Sequence, residues 1–253
     1  MRALIDADIL IYEVASLCET SVAWPYGDDD VLWTRHAHID EARARLEDSI
    51  AVLMDKVEAD TCMLAVTPKT NWRFDVWGDY KANRSKSVKP MLVAPLRDYI
   101  ANDPRGKRID RLEGDDLMGI AATHPKNGAD QIIVTIDKDL KTIPGNHYDF
   151  RAGKFFTISE GEANMWHLRQ TLEGDRTDNY PGCPGIGKIK AEKLIADPVE
   201  SEDLYDFWHD VIVPQFEAKD LDEDYALAQA QVAHIMRFEN YNLKTGEVTL
   251  WTP

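Results

Sequence analysis

The sequence predicts an α/β fold, with a central, mainly parallel sheet flanked by helices and a helical region behind it. Three observations carry that reading. Short apolar runs at Arg2–Asp6, Cys62–Val66 and Gln131–Ile136 have the character of buried strands. Stretches with helical apolar spacing alternate with them, as parallel strands require. From Ser159 onward the strand-like runs give way to helical sequence.

The elements follow in chain order. Ile9–Leu17 reads as a helix directly after the first strand. Ile39–Val57 sets Leu46, Ile50, Leu53, Met54 and Val57 at helical spacing, with Asp40 as its cap. Arg108–Leu112 is expected to be a further strand, and Gly114–Thr123 a helix closed by the His124-Pro125 break. Ser159–Leu172 carries Glu162 three residues after Ser159, the capping-box spacing. The Gly/Pro-rich segment Tyr180–Gly187 then turns into more helical sequence. The expected organisation is an α/β unit over residues 1–160 and a helical unit over 161–253.

Composition narrows the class. Cys18, Cys62 and Cys183 are far apart and form no C-x-x-C pair, which fits a reducing cytoplasm and argues against a zinc site. No apolar run is long enough for a membrane span. No heptad pattern occurs, so a monomer is expected. The formal net charge of −16 argues against a nucleic-acid partner when taken alone, but its distribution is uneven. From Lys81 to Arg97 the chain carries only basic charges, at Lys81, Arg84, Lys86, Lys89 and Arg97. From Asp197 to Asp224 acids dominate, with Lys219 among them, and a solvated surface is the reading there.

Acids gather where a parallel sheet places its site, beyond the C-terminal strand ends. Asp6 and Asp8 follow the first strand. Glu113, Asp115 and Asp116 follow the expected third, and Asp137 and Asp139 follow Gln131–Ile136. Asp175 and Asp178 lie past the capped helix. So many carboxylates in one place call for an offsetting charge. All-oxygen donors fit Mg²⁺ or Mn²⁺ better than Zn²⁺, and their number exceeds one ion's need. Two ions about 4 Å apart are a usual apparatus for displacement at phosphorus. Each acid pair alone could be a cap or a turn; their joint position after strand-like runs is what points to a site.

Two basic elements accompany the acids. In Tyr80-Lys81-Ala82-Asn83-Arg84, a helical start would put Lys81 and Arg84 on one face, suited to a phosphate held opposite metal ions. Tyr80 is then placed to stack on a base. Gly182, Gly185 and Gly187 permit close approach to a phosphate backbone, and Lys188, Lys190 and Lys193 add sequence-independent charge.

The ordered set L-I-D-A-D, Y-K-A-N-R, E-G-D-D-L-M-G, T-I-D-K-D-L and G-D-R-T-D-N-Y-P-G-C-P-G-I-G-K resembles the 5′-nuclease (flap endonuclease) family along the whole chain. It is similar above all to the replication exonucleases of short-tailed bacteriophages. The resemblance implies a PIN-like core, a helical arch over about residues 81–107 and a helix–three-turn–helix at Gly182–Lys193 that holds duplex DNA and often a monovalent cation such as K⁺. It implies that Asp6, Glu113, Asp115 and Asp116 serve a first metal and Asp137, Asp139, Asp175 and Asp178 a second. Lys81 and Arg84 would contact the scissile phosphate, Tyr80 a base, and Lys86 and Lys89 the DNA. The implied activity is metal-assisted 5′-to-3′ exonuclease or flap endonuclease cleavage of DNA, or of RNA in an RNA–DNA hybrid, during phage replication or primer removal in the host cytoplasm. One feature departs from the family. Many members carry an Asp at the end of the second central strand, where this chain has Pro68; Asp75 is the nearest substitute in sequence. Two other readings stand beside this one. A haloacid-dehalogenase-like phosphatase also begins with a strand ending in D-x-D, but gives no role to Tyr80–Arg84 or the glycine turn. A non-catalytic DNA-structure binder would rest on Pro68 alone.

Overall fold

The computed structural model describes the whole chain except residues 27–29, 87 and 127–129; of residues 85 and 86 it describes the backbone only. Strand β1 (Arg2–Asp6) leads directly into helix α1 (Ala7–Leu17). An antiparallel ribbon of β2 (Glu19–Tyr26) and β3 (Asp30–Ala37) follows, then α2 (Ile39–Lys56) and β4 (Thr61–Ala65). Next come the short helix α3 (Arg73–Val76), a 3₁₀ turn at Ala82–Lys86, and α4 (Val93–Ala101). The two-residue strand β5 (Gly106–Lys107) and helix α5 (Gly114–Ala122) precede β6 (Gln131–Val134), β7 (Gly145–Asp149) and β8 (Lys154–Ile158). The remaining chain is helical: α6 (Glu160–Glu173), α7 (Lys188–Leu194), α8 (Leu204–Phe207), α9 (Val213–Glu217) and α10 (Glu223–Ala233).

The sheet order is β5-β4-β1-β6-β7-β8, parallel except for the last pair. Residues of β1 alternate between its faces. Ala3 and Ile5 pack with Cys62, Leu64, Ile132 and Val134 under α1, α2 and α4. Leu4 packs with Met63, Ala65 and Ile133 under α5, joined by Ile235 and Met236 from the C-terminal segment. Strands buried on both faces read as continuous apolar runs, which is the feature that located them in the sequence. The register sets Asp6 beside Ala65 and Ile5 beside Val134, so β1, β4 and β6 end at one edge. With β4 on one side of β1 and β6 on the other, the chain reverses its winding there, the place where such sheets form their sites.

Helices α6 to α10 enclose a separate apolar cluster around Leu168, Leu172, Trp208, Ile212, Phe216 and Ala230. The Ser159–Glu162 capping box opens α6 as expected. Three local expectations change. Arg108–Leu112 is turn and loop; the strand is the shorter Gly106–Lys107, paired only with Leu64 and Ala65. Helix α2 is preceded by His38, and Asp40 lies in its first turn. The β2–β3 ribbon falls where no strand was expected. It leaves Trp24, Tyr26 and Trp33 exposed, so no buried face imposed an alternating pattern on it.

Candidate active site

A cavity of about 1170 Å³ opens over the ends of β1, β4 and β6. Asp6, Glu113, Asp115, Asp137, Asp139, Asp175 and Asp178 line it, together with Asp8, Tyr80, Lys81, Arg84, Lys89 and Arg97. Each acid arrives by a local device. Asp6 ends β1 and caps α1, accepting the Ile9 N–H at 3.3 Å and the Thr135 hydroxyl at 3.0 Å. Glu113 and Asp115 open α5, where a helix N-terminus favours acids. Asp137 accepts the Asp139 N–H at 2.9 Å in the turn after β6. Asp139 takes a hydrogen bond from Gln170 of α6.

The turn bearing Asp175 and Asp178 is closed by two glycines. Gly174 (φ +69°) and Gly182 (φ +63°) lie backbone to backbone: a Cβ on Gly174 would meet the Pro181 carbonyl carbon at 2.4 Å, and one on Gly182 the Gly174 nitrogen at 2.4 Å. Only glycine satisfies both conditions.

The basic pair converges on these acids by an unexpected route. Lys81 stands before the 3₁₀ turn, not inside a helix, in left-handed backbone (φ +55°). Such a conformation is costly for a non-glycine residue and is held by its surroundings, here by the Lys81 N–H donating to the Asp178 carbonyl at 2.8 Å. Its ammonium reaches Glu113 at 2.5 Å and Asp178 at 3.5 Å. Arg84 pairs with Asp178 and donates to the Thr177 carbonyl. Lys138 joins Asp175 at 3.2 Å.

The electrostatics divide the acids. Burial and the charges of Asp8 and Asp137 push Asp6 up to about 7. Burial and Asp137 push Asp139 up to about 7. Asp115 is raised well above its ordinary value, by burial and then by Asp6 and Asp137. Glu113 behaves oppositely: burial works against its charge, but Lys81 and Arg73 overcome it and hold the carboxyl down at about 2. Asp175 is likewise held below its ordinary value despite burial, by the Thr177 N–H and Lys138.

Three expectations are corrected by this geometry. Asp116 does not line the cavity. It is fully buried, with Arg73 forked across it at 2.9 Å on both oxygens and further donors from Trp72 Nε1 and the Glu113 and Met236 N–H groups. Its lone pairs are taken, and its role is to hold α5 and the C-terminal segment. Tyr80 is buried and unavailable for stacking on a base; its hydroxyl lies 2.9 Å from Glu113 and 2.8 Å from Asp178 and donates to one at a time. Gly182 is buried and its N–H donates to Gln229, so it cannot meet a phosphate. Gly185, Gly187, Lys188, Lys190 and Lys193 are exposed, and the first three line a second cavity of about 1030 Å³ that shares Lys138, Asp175 and Thr177 with the first. Lys89 is exposed at the first cavity, whereas the Lys86 side chain lies outside the described residues. Asp75 pairs with Arg111 on the surface and does not reach the site.

Arg73, Gln170 and Thr135 are the site residues that sequence reasoning missed, and Arg97 was read only as the end of the basic run. Arg73 alone had a signal, as the lone cation in N-W-R beside buried aromatics. It is 3% exposed, bonds Asp116 and Glu113, and donates to the Val232 and His234 carbonyls, fastening the C-terminal segment to the site.

Comparison with known proteins shows the family and the fold. The exodeoxyribonuclease of Enterobacteria phage T3 is 31% identical, covering 99% of this chain and 92% of that protein. The exonuclease of Escherichia phage T7 is also 31% identical, covering 99% and 93%. The chain belongs to the phage exonuclease branch of the 5′-nuclease family. It is therefore a nuclease. Among solved structures, the bacteriophage T5 D15 flap endonuclease, in a complex described with DNA and metal ions, shares its fold. The TM-score is 0.56 at 12% identity, covering 92% of this nuclease and 98% of that chain. No family model matches the nuclease.

The donor set fits hard divalent cations. It is all oxygen, and Asp6, Asp115 and Asp137 form no ion pair with any described residue. Among the described residues no three acids, histidines or cysteines already close into a single coordination sphere. The carboxylates ring the cavity instead.

Proposed function

We propose that this nuclease hydrolyses DNA phosphodiesters at a 5′ end or 5′ flap, with two Mg²⁺ ions that Mn²⁺ can replace. The observation that carries the reading is the cavity itself, where aspartates without a cationic partner among the described residues face Lys81 and Arg84. Asp6, Glu113 and Asp115 would hold one ion, and Asp137, Asp139, Asp175 and Asp178 the other. When bound, the ions supply Lewis-acid activation of water and offset charge on the phosphate. The chain supplies the rest. Lys81 and Arg84 hold the phosphate and leaving oxygen in line, and the paired Glu113 and Asp178 keep those two cations at the cavity. Tyr80 fixes Glu113 against Asp178, a positioning role.

Lys86 and Lys89 would contact the entering strand as part of an arch over residues 81–107. Gly185, Gly187, Lys188, Lys190 and Lys193 would grip the duplex as a helix–three-turn–helix, with K⁺ in the turn. The shared border of the two cavities offers a continuous path between these contacts. The helical region from residue 161 then acts as the DNA-holding part and residues 1–160 as the cutting part. RNA in an RNA–DNA hybrid fits the same backbone contacts. The setting would be phage DNA replication or primer removal in the host cytoplasm, by a monomer. No helix among the described residues is long and apolar enough to cross a membrane.

The test is cleavage of a 5′-labelled duplex with a 5′ flap, in Mg²⁺, in Mn²⁺ and with chelator. Metal-dependent release of short 5′ products is expected, and their lengths distinguish trimming from junction cutting. Binding without cleavage in either metal would contradict the proposal.

A further inference from the structure

The end of β4 has no carboxylate of its own, since Ala65-Val66-Thr67 runs into Pro68. Asp6 stands beside Ala65 in register, so the side of Asp6 facing β4 lacks a strand-end acid. Another chain segment brings one there. Asp8, in the first turn of α1, accepts the Thr67 N–H on Oδ2 at 2.9 Å and the Arg97 Nε–H on Oδ1 at 2.7 Å. These two donors, one from the end of β4 and one from α4, fix its carboxylate at the strand end and inside the cavity. Each of its oxygens keeps a lone pair after these bonds.

We infer that Asp8 stands in for the missing β4 carboxylate, as a member of the ligand set of the divalent cation on the Asp6 side. Arg97 orients it and tempers its charge. The inference rests on the two-cation reading above. A purely structural Asp8, clamping α4 to α1, would use the same two hydrogen bonds, so the experiment must separate the two roles. Removing either partner would break the clamp equally. Only removal of Asp8 would cost a ligand.

Mn²⁺ binding to the full chain, followed by electron paramagnetic resonance, reads this directly without turnover. Asp8→Asn keeps one acceptor, the amide oxygen that can serve Thr67, and gives up the bond from Arg97, which Arg97→Leu removes as well. Its Mn²⁺ affinity is expected to fall at one site by about 10–100-fold, with the other site unchanged. Arg97→Leu is expected to bind Mn²⁺ no more weakly than wild type. Adding Pro68→Asp to Asp8→Asn is expected to restore most of the lost affinity, by returning an acid to the end of β4. Circular dichroism confirms that each variant is folded. If Asp8→Asn does not fold, Pro68→Asp alone must tighten one site. Wild-type affinity in Asp8→Asn, or equal losses in Asp8→Asn and Arg97→Leu, would overturn the inference. A wild type that binds no Mn²⁺ would overturn the two-cation reading and this inference with it.

Discussion

Asp6, Asp115 and Asp137 on the strand-end side of the cavity have no ion-pair partner among the described residues. Glu113, Asp175 and Asp178, facing the basic segment, have Lys81, Arg73, Arg84 and Lys138. The same side-chain chemistry is thus handled in two ways within one cavity. On the paired side, protein cations satisfy the acids and hold Glu113 at about 2. On the strand-end side burial and then the repulsion between the acids push Asp6 up to about 7 and raise Asp115 too. No cation of the described residues pairs with Asp6, Asp115 or Asp137, so in the proposed two-ion site these acids would depend most on a bound metal for their neutralisation.

The comparison is broken most severely by neutralising its strand-end side. Asp115→Asn is expected to lower single-turnover cleavage by on the order of 10³-fold or more while leaving flap binding intact, measured by quench and by fluorescence anisotropy. On the paired side the largest change should be structural. Arg73→Met leaves buried Asp116 without its cationic partner, and urea denaturation should show a loss of about 3–5 kcal/mol. Lys81→Met removes a charge facing the phosphate, and a loss of about 10²-fold in cleavage rate is expected with fold and circular dichroism retained.

The smallest effect concerns proton linkage. A carboxyl whose folded pKa lies above its unfolded value binds its proton more tightly when folded. It therefore favours folding at low pH and costs stability as pH rises from about 4 to 7. Buried His167, lowered to about 4, acts in the opposite sense, so wild-type data alone mix the two. The difference between Asp6→Asn and wild type isolates the acid. Without metal, the variant's melting midpoint should gain on the wild type by about a few degrees from pH 5 to pH 8. A difference that stays flat with pH would remove the proposed strain from the strand-end side.

How much of this was legible in the sequence follows the same division. The strands β1, β4 and β6 and their terminal acids were readable because strands buried on both faces leave continuous apolar runs. Strand β5 was not, since two residues leave no pattern. The β2–β3 ribbon was not, because neither face is buried. Asp115 and Asp116 are neighbours of the same type; what separates a cavity acid from a buried anchor is Arg73, some forty residues away in the chain. Lys81 and Arg84 do meet the acids, but through a left-handed residue and a 3₁₀ turn instead of the helix their spacing suggested. Asp8 was seen as an acid at a strand end. Its place beside β4 depended on Thr67 and Arg97, which only the fold brings together.

The most direct test is a calorimetric titration of the nuclease with Mn²⁺ at pH 6.5 in buffers of different ionisation enthalpy, with Asp115→Asn alongside. Two ions per chain are predicted, with protons released from the strand-end acids, and at least one ion lost in the variant. No saturable binding, or two ions bound equally well by Asp115→Asn, would contradict the assignment of the strand-end aspartates as the cation-holding group.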